Sequence, residues 1–219
     1  MYCNEEKCHY LFSWCKLFFT FKWINRLNKK IQGKWTDCDL YSWCRSNRWT
    51  KEDLSNKVDS IKSADWDIEV PDSKVRGKEW LKSQVSRAFL PRYFPGYEKY
   101  LWIDADAWVN SWYPIELFLK GCENGKLSIA SSADRAYGRV LRAEWFLGSF
   151  ARIKSQNYKH AKSSGFSEKI ARQVALKPHL NIGVFALEAN APHWEVWQKN
   201  LKKALSGGKI WGSEQIAMN

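Results

Sequence analysis

Asp104 and Asp106 end an apolar run, Tyr100-Leu-Trp-Ile-Asp-Ala-Asp-Ala-Trp-Val-Asn110. An ionised carboxylate is expensive to bury without a partner, so two of them at the end of a buried strand need an explanation. Side chains at i and i+2 of an extended segment point the same way, which lets this pair converge on one cation. Carboxylate oxygens suit hard ions such as Mg2+ or Mn2+. A strand running into an acidic turn, its carboxylates solvated or capping the next element, is the structural alternative.

Three other stretches carry groups able to work beside such a pair. Arg87 presents a fork of N–H donors matched to phosphate or carboxylate oxygens, and a surface ion pair is its plain alternative. In His179-Leu-Asn-Ile-Gly-Val-Phe-Ala186, Asn181 offers an amide and Gly183 a close approach, or else the two are a polar strand residue and a bulge glycine. Ser213-Glu214-Gln215 places a carboxylate and an amide together, or simply starts a helix.

The elements that must hold these groups follow from periodicity. Lys78 to Leu90 reads as a helix, with Leu81, Val85, Ala88 and Phe89 on one stripe and Pro91 as its end. Strands are expected at 66–70, 99–103, 126–131 and 180–187. Pro114 opens a helix that stops at Gly121, and a second helix from Pro192 to Leu205 places Trp194, Trp197, Leu201 and Leu205 on one face. Strands alternating with helices argue for an α/β layer with a largely parallel sheet, whose ligands gather at the carboxyl ends of the strands.

With 219 residues, 45% of them apolar and 16% aromatic, the chain supports one sizeable core and is not disordered. The net charge of +12 favours anionic partners. Its clearest basic block runs from Arg152 to Lys177: a solvated helix face, or a surface that meets anionic membrane or guides an anionic substrate. The six cysteines form no C-x-x-C pair and no zinc-finger spacing, and no signal peptide is evident, so free thiols in a reducing cytoplasm are expected. Tyr10 to Ile24 is too short and too charged to span a bilayer, and reads as a buried core helix or an interfacial one.

Taken in order, Arg87 with its helix, Tyr100 to Trp108, His179 to Ala186 and Gly212-Ser-Glu-Gln-Ile-Ala-Met-Asn219 resemble the nucleotide-sugar glycosyltransferases of the GT-A fold, most closely the family 8 type. The resemblance covers roughly Trp80 to Asn219. It implies a GT-A-like, Rossmann-like α/β domain of mostly parallel sheet flanked by helices. It also implies transfer of a sugar, with retention of configuration, from a nucleotide diphosphate, most naturally a UDP-sugar, to a saccharide, lipid-linked or protein acceptor.

By the same resemblance Asp104 and Asp106 hold Mn2+ or Mg2+. Arg87 reaches the donor diphosphate or sugar, and Ala105 leaves room for the ribose. The Asn181 amide contacts donor sugar or acceptor and Gly183 permits close approach. Of the catalytic candidates Gln215, Asn181 and Glu214, the first two lie nearest the reacting carbon and Glu214, standing where the family usually has aspartate, faces the transferred sugar with Gln215.

The family's histidine metal ligand lies in a segment beyond Asn219, and no convincing copy of its first strand lies within Met1 to Asn47. The chain therefore reads as a divergent or aberrant segment at 1–50, either frame-shifted or a membrane contact, followed by a partial glycosyltransferase domain at 51–219. A non-catalytic remnant with weak or no nucleotide-sugar binding is the alternative function. A basic nucleic-acid-binding domain ranks third, and no nucleic acid is expected as partner because charge comes without a recognisable motif. The expected location is the cytoplasm, with peripheral contact at the inner membrane face left open.

Overall fold

The computed structural model describes residues 17–20, 60–75, 81–104, 107, 109–133, 135–146, 148, 150–207 and 212–219. They form a mixed α/β arrangement of small sheets and helices. Strand β1 (Leu17–Thr20) pairs antiparallel with β2 (Ser60–Ser63). The described part of the 10–24 stretch is thus a strand, against the helix expected there; its Phe-Phe-Thr ending favours extended backbone.

Helix α1 (Asp72–Val75), helix α2 (Lys82–Ser86), a 3-10 turn (Arg87–Phe89) and helix α3 (Leu90–Tyr93) follow. The expectation that Pro91 ends the helical stretch fails for a simple reason. Pro91 falls in the first turn of α3, where its missing N–H leaves no helical bond unmade. Residues 66–70, expected as a strand, form none. The backbone N–H of Asp65 is satisfied by Tyr93 Oη at 3.0 Å and that of Trp66 by Asp65 Oδ1 at 2.8 Å. Asp67 accepts from Tyr93 Oη at 3.0 Å and pairs with Arg92, so side chains tie this segment to α3 in place of a ladder.

The central sheet has the order β3 (Lys99–Ile103), β7 (Leu180–Glu188), β4 (Ser128–Ser131). Both outer strands run antiparallel to β7. The largely parallel sheet expected from the alternation of elements is therefore not found among the described residues, where every pairing is antiparallel. β3 and β4 share a direction but are separated by β7, which enters from the opposite end. As a result the carboxyl end of β3 meets β7 at Gly183 and Val184.

Helix α4 (Tyr113–Gly121), with Pro114 in its first turn as expected, packs against all three strands. Helix α7 (His193–Gly207) buries Trp194, Trp197, Leu201, Ala204 and Leu205 along one stripe. Phe185 meets Trp197 edge-on at 5.4 Å, and Tyr100 meets Trp194 edge-on at 5.8 Å. Each such ring contributes about 2–3 kcal/mol through burial. Lys74 Nζ closes α7 by donating to the Leu205 and Ser206 carbonyls at 2.9 and 3.1 Å.

The turn and hairpin after β4 had no sequence forecast, whereas a helix face was expected in the basic block. A 3-10 turn (Arg135–Tyr137) leads to the hairpin β5 (Leu141–Phe146) and β6 (Phe150–Ser155), a two-stranded sheet of its own. Helices α5 (Gln156–Ser163) and α6 (Glu168–Val174) then occupy the basic block, each with a serine N-cap, Ser155 and Ser167. Helix α8 (Ser213–Met218) ends the chain beneath α7 and against β7. Among the described residues no helix is long and apolar enough to cross a membrane.

Candidate functional site

The carboxyl end of β3 carries Asp104 across to β7, where its N–H donates to the Gly183 carbonyl at 2.7 Å. Two positions earlier on the same face lies Trp102, fully buried, whose indole Nε1 donates to Asp104 Oδ1 at 2.7 Å. Arg87, from the 3-10 turn, donates to the same oxygen from Nη2 at 2.7 Å, with its side chain only 5% exposed. The guanidinium carbon lies 5.0 Å from the centre of the Trp102 ring, so the cation is held between an aromatic face and a carboxylate. Arg87 Nε is buried and has no hydrogen-bond partner. In a group with five donors, that leaves capacity for an anion.

Gly183 explains how the carboxylate fits. A Cβ at this position would stand 3.1 Å from Asp104 Oδ2 and 3.0 Å from Asn181 Oδ1. Asn181 also accepts from the Gly183 N–H at 3.0 Å, folding its amide back over its own strand. Register accounts for the space. Ile129 of β4 pairs with Phe185, but the next residue, Ala130, pairs with Asn181, so Ile182, Gly183 and Val184 bulge away from β4.

Glu214, in the first turn of α8, is buried, and its main-chain carbonyl accepts from Trp197 Nε1 at 2.8 Å. Burial pushes its carboxyl above the usual range, the Arg87 charge opposes that rise, and the Asp104 charge adds to it. Glu214 thus feels both members of the ion pair. Gly212, with φ +79°, makes the left-handed turn that starts α8 and puts Glu214 there.

Gln215 reaches the first residue of β7, donating from Nε2 to the Leu180 carbonyl at 2.8 Å, and its Nε2 also touches His179 Nε2. Asn157 fixes that histidine. Its amide nitrogen donates to the Val174 and Lys177 carbonyls at 3.2 and 2.9 Å, which turns its oxygen toward His179 Nδ1. His179 therefore carries its proton on Nδ1 and accepts from Gln215 on Nε2. Burial, assisted by neighbouring His160, holds its pKa below the usual histidine value and keeps the ring neutral.

The structure brings Arg87, Asp104, Asn181 and Gly183 into one cluster, puts Glu214 within its electrostatic reach, and sets Gln215 at the entry of β7. Ala105 and Asp106 lie outside the described residues. Sequence reasoning missed the partners, Trp102 and the Asn157–His179 relay. Trp102 shares the face of Asp104 through the same i, i+2 rule that paired the aspartates, and His179 stands two residues before Asn181. Asn157 gave no local signal.

Asp104 Oδ2 offers one hard oxygen ligand beside a cradle that any side chain at 183 would fill. Among the described residues there is no group of three or more His, Cys, Asp or Glu side chains that could hold a metal. Comparison with protein-family models, curated proteins and solved structures finds no match to this chain.

Proposed function

We propose that this chain is a metal-dependent glycosyltransferase of the GT-A, family 8-like type, which moves a sugar from a nucleotide diphosphate, a UDP-sugar by preference, to a saccharide, lipid-linked or protein acceptor. The observation that carries the reading is the pairing of buried Arg87 with half-buried Asp104 at the end of β3, facing the side-chain-free step at Gly183. A structural ion pair would not need that cradle, nor an unpartnered Nε on its arginine.

Asp104 and Asp106 would hold Mn2+ or Mg2+, which supplies positive charge for the diphosphate leaving group. Arg87 adds its own fixed charge and its remaining donors to the same phosphate oxygens. Trp102 and Asp104 keep the guanidinium oriented, so little reorganisation is needed as charge develops. The anomeric carbon gains positive character as its bond to the phosphate oxygen lengthens. The amides of Asn181 and Gln215 are the groups assigned to it, and the neutral His179 holds the Gln215 amide in one orientation. Burial raises the Glu214 carboxyl, which disfavours a second full anion beside Asp104.

Mn2+-dependent release of UDP from a panel of UDP-sugars tests the proposal. Turnover by the wild type, lost in Asp104→Ala and Asp106→Ala proteins that keep their far-UV spectrum, is the expected outcome. Equal turnover in all three would sink the metal assignment. UDP and Mn2+ binding by calorimetry with no turnover on any donor would point to the non-catalytic alternative.

A further inference from the structure

The β5–β6 hairpin is unlike any other part of the described fold. Its register, from Leu141 opposite Ser155 to Phe146 opposite Phe150, sorts side chains onto two faces. Leu141, Ala143, Trp145, Ala151 and Ile153 share one face and all are exposed, Trp145 at 77% and Ile153 at 61%. Arg142, Glu144, Arg152 and Lys154 share the other, with Phe150, 68% exposed, at its tip end. A two-stranded hairpin has little stability alone, and an apolar face of this size left in water calls for a partner.

We propose that this hairpin docks the protein on an anionic lipid surface, with its aromatic tip in the headgroup layer and its basic residues on the lipid phosphates. Two observations select a bilayer over a folded protein partner. The first is charge: Glu144 is the sole acid between Leu141 and Ser155, and it is already paired with Arg142 at 2.6 Å and Lys154 at 2.5 Å. The second is depth. Interfacial insertion reaches about 5–10 Å, which at about 3.3 Å per strand residue submerges two to three residues of each strand. Counted along the strands from the tip, that takes in Trp145, Phe150 and Ala151 and reaches the opposed pair Glu144 and Arg152. On the face that carries Phe150, the change to charged residues at Glu144 and Arg152 falls near the depth where a bilayer passes from acyl chain to headgroup. The inference goes beyond the catalytic reading and does not depend on it, because it is read with no sugar donor present.

The full chain is co-sedimented with phosphatidylcholine vesicles prepared with and without phosphatidylglycerol. Binding to the anionic vesicles alone, weakening as salt rises through the range where screening sets in, is expected. Trp145→Ser combined with Phe150→Ser lowers that affinity by about tenfold or more, since affinity scales with buried apolar area. Arg152→Glu, which leaves the tip intact, also reduces anionic binding. Leu176→Ser and Val196→Ser, which remove exposed apolar side chains elsewhere, leave it unchanged. Wild-type binding that ignores lipid charge, tip and Arg152 variants that bind as well as wild type, or a tip variant whose only change is the loss of self-association in sedimentation velocity would each overturn the proposal.

Discussion

At the end of β3 a guanidinium and an indole are buried together, and each donates to the carboxylate beside it; on the β5–β6 hairpin the indole of Trp145 and the guanidinium of Arg152 both face solvent. The same residue types are used in opposite ways. Inside, the low dielectric makes the Arg87–Asp104 pair strong but leaves either partner stranded if the other is removed. Outside, water weakens every charge interaction, so the hairpin's ion pairs can be lost at small cost and its apolar rings are the costly feature. Charge is held in a fixed, largely desolvated geometry at the sheet end, whereas on the hairpin it is exposed to solvent.

The most damaging way to break this contrast is Asp104→Ala. It leaves Arg87 buried without its carboxylate and should cost about 3–5 kcal/mol in urea unfolding, as removal of one partner of a buried pair does. Arg172→Ala, which removes the partner of Glu168 on the surface of α6, should leave the unfolding curve almost unmoved, although that carboxyl sits at about 2 through Arg172, Lys162 and Tyr158. If the two variants behave alike, the distinction between buried and exposed charge is wrong.

Gly183→Ala comes next. Its methyl group would crowd Asp104 Oδ2 and Asn181 Oδ1, at a cost of about 1–3 kcal/mol in thermal unfolding and a larger proportional loss of UDP-sugar turnover. Glu214→Gln sharpens the electrostatic side. A carboxyl whose folded pKa is raised binds its proton more tightly in the native state than in the unfolded one. Its contribution to stability therefore falls as pH rises above the unfolded value of about 4.3. The glutamine variant should match wild type near pH 4 and unfold at a higher temperature at pH 7. The smallest effect belongs to the hairpin: Trp145→Ser should leave the melting temperature unchanged while vesicle binding falls.

Much of the sheet was legible before any coordinates. Lys99–Ile103 and Leu180–Glu188 appear as strands because both are apolar, β-branched or aromatic runs bounded by turn residues, and His193–Gly207 appears as a helix because its tryptophans and leucines keep one stripe. The failures have local causes. Trp66 to Val70 alternates like a strand, but the N–H groups of Asp65 and Trp66 at its start are taken by the Tyr93 and Asp65 side chains. Leu141-Arg-Ala-Glu-Trp145 alternates as a strand does, but that its apolar face stays in water is decided only by the tertiary structure.

By itself the sequence determined which groups are available and on which kind of element. It set Asp104 at a strand end, Arg87 on a helical stretch before it, an amide and a glycine two apart at Asn181 and Gly183, and Glu214 with Gln215 in a first helical turn. These follow from spacing, and spacing is local. Tertiary structure alone decided that β7 runs against β3, that Arg87 and Trp102 share one oxygen of Asp104, that Glu214 lies within reach of both charges, and that Asn157 and His179 orient Gln215. Each of those contacts joins residues whose approach depends on how separate elements pack, and no short-range pattern encodes that.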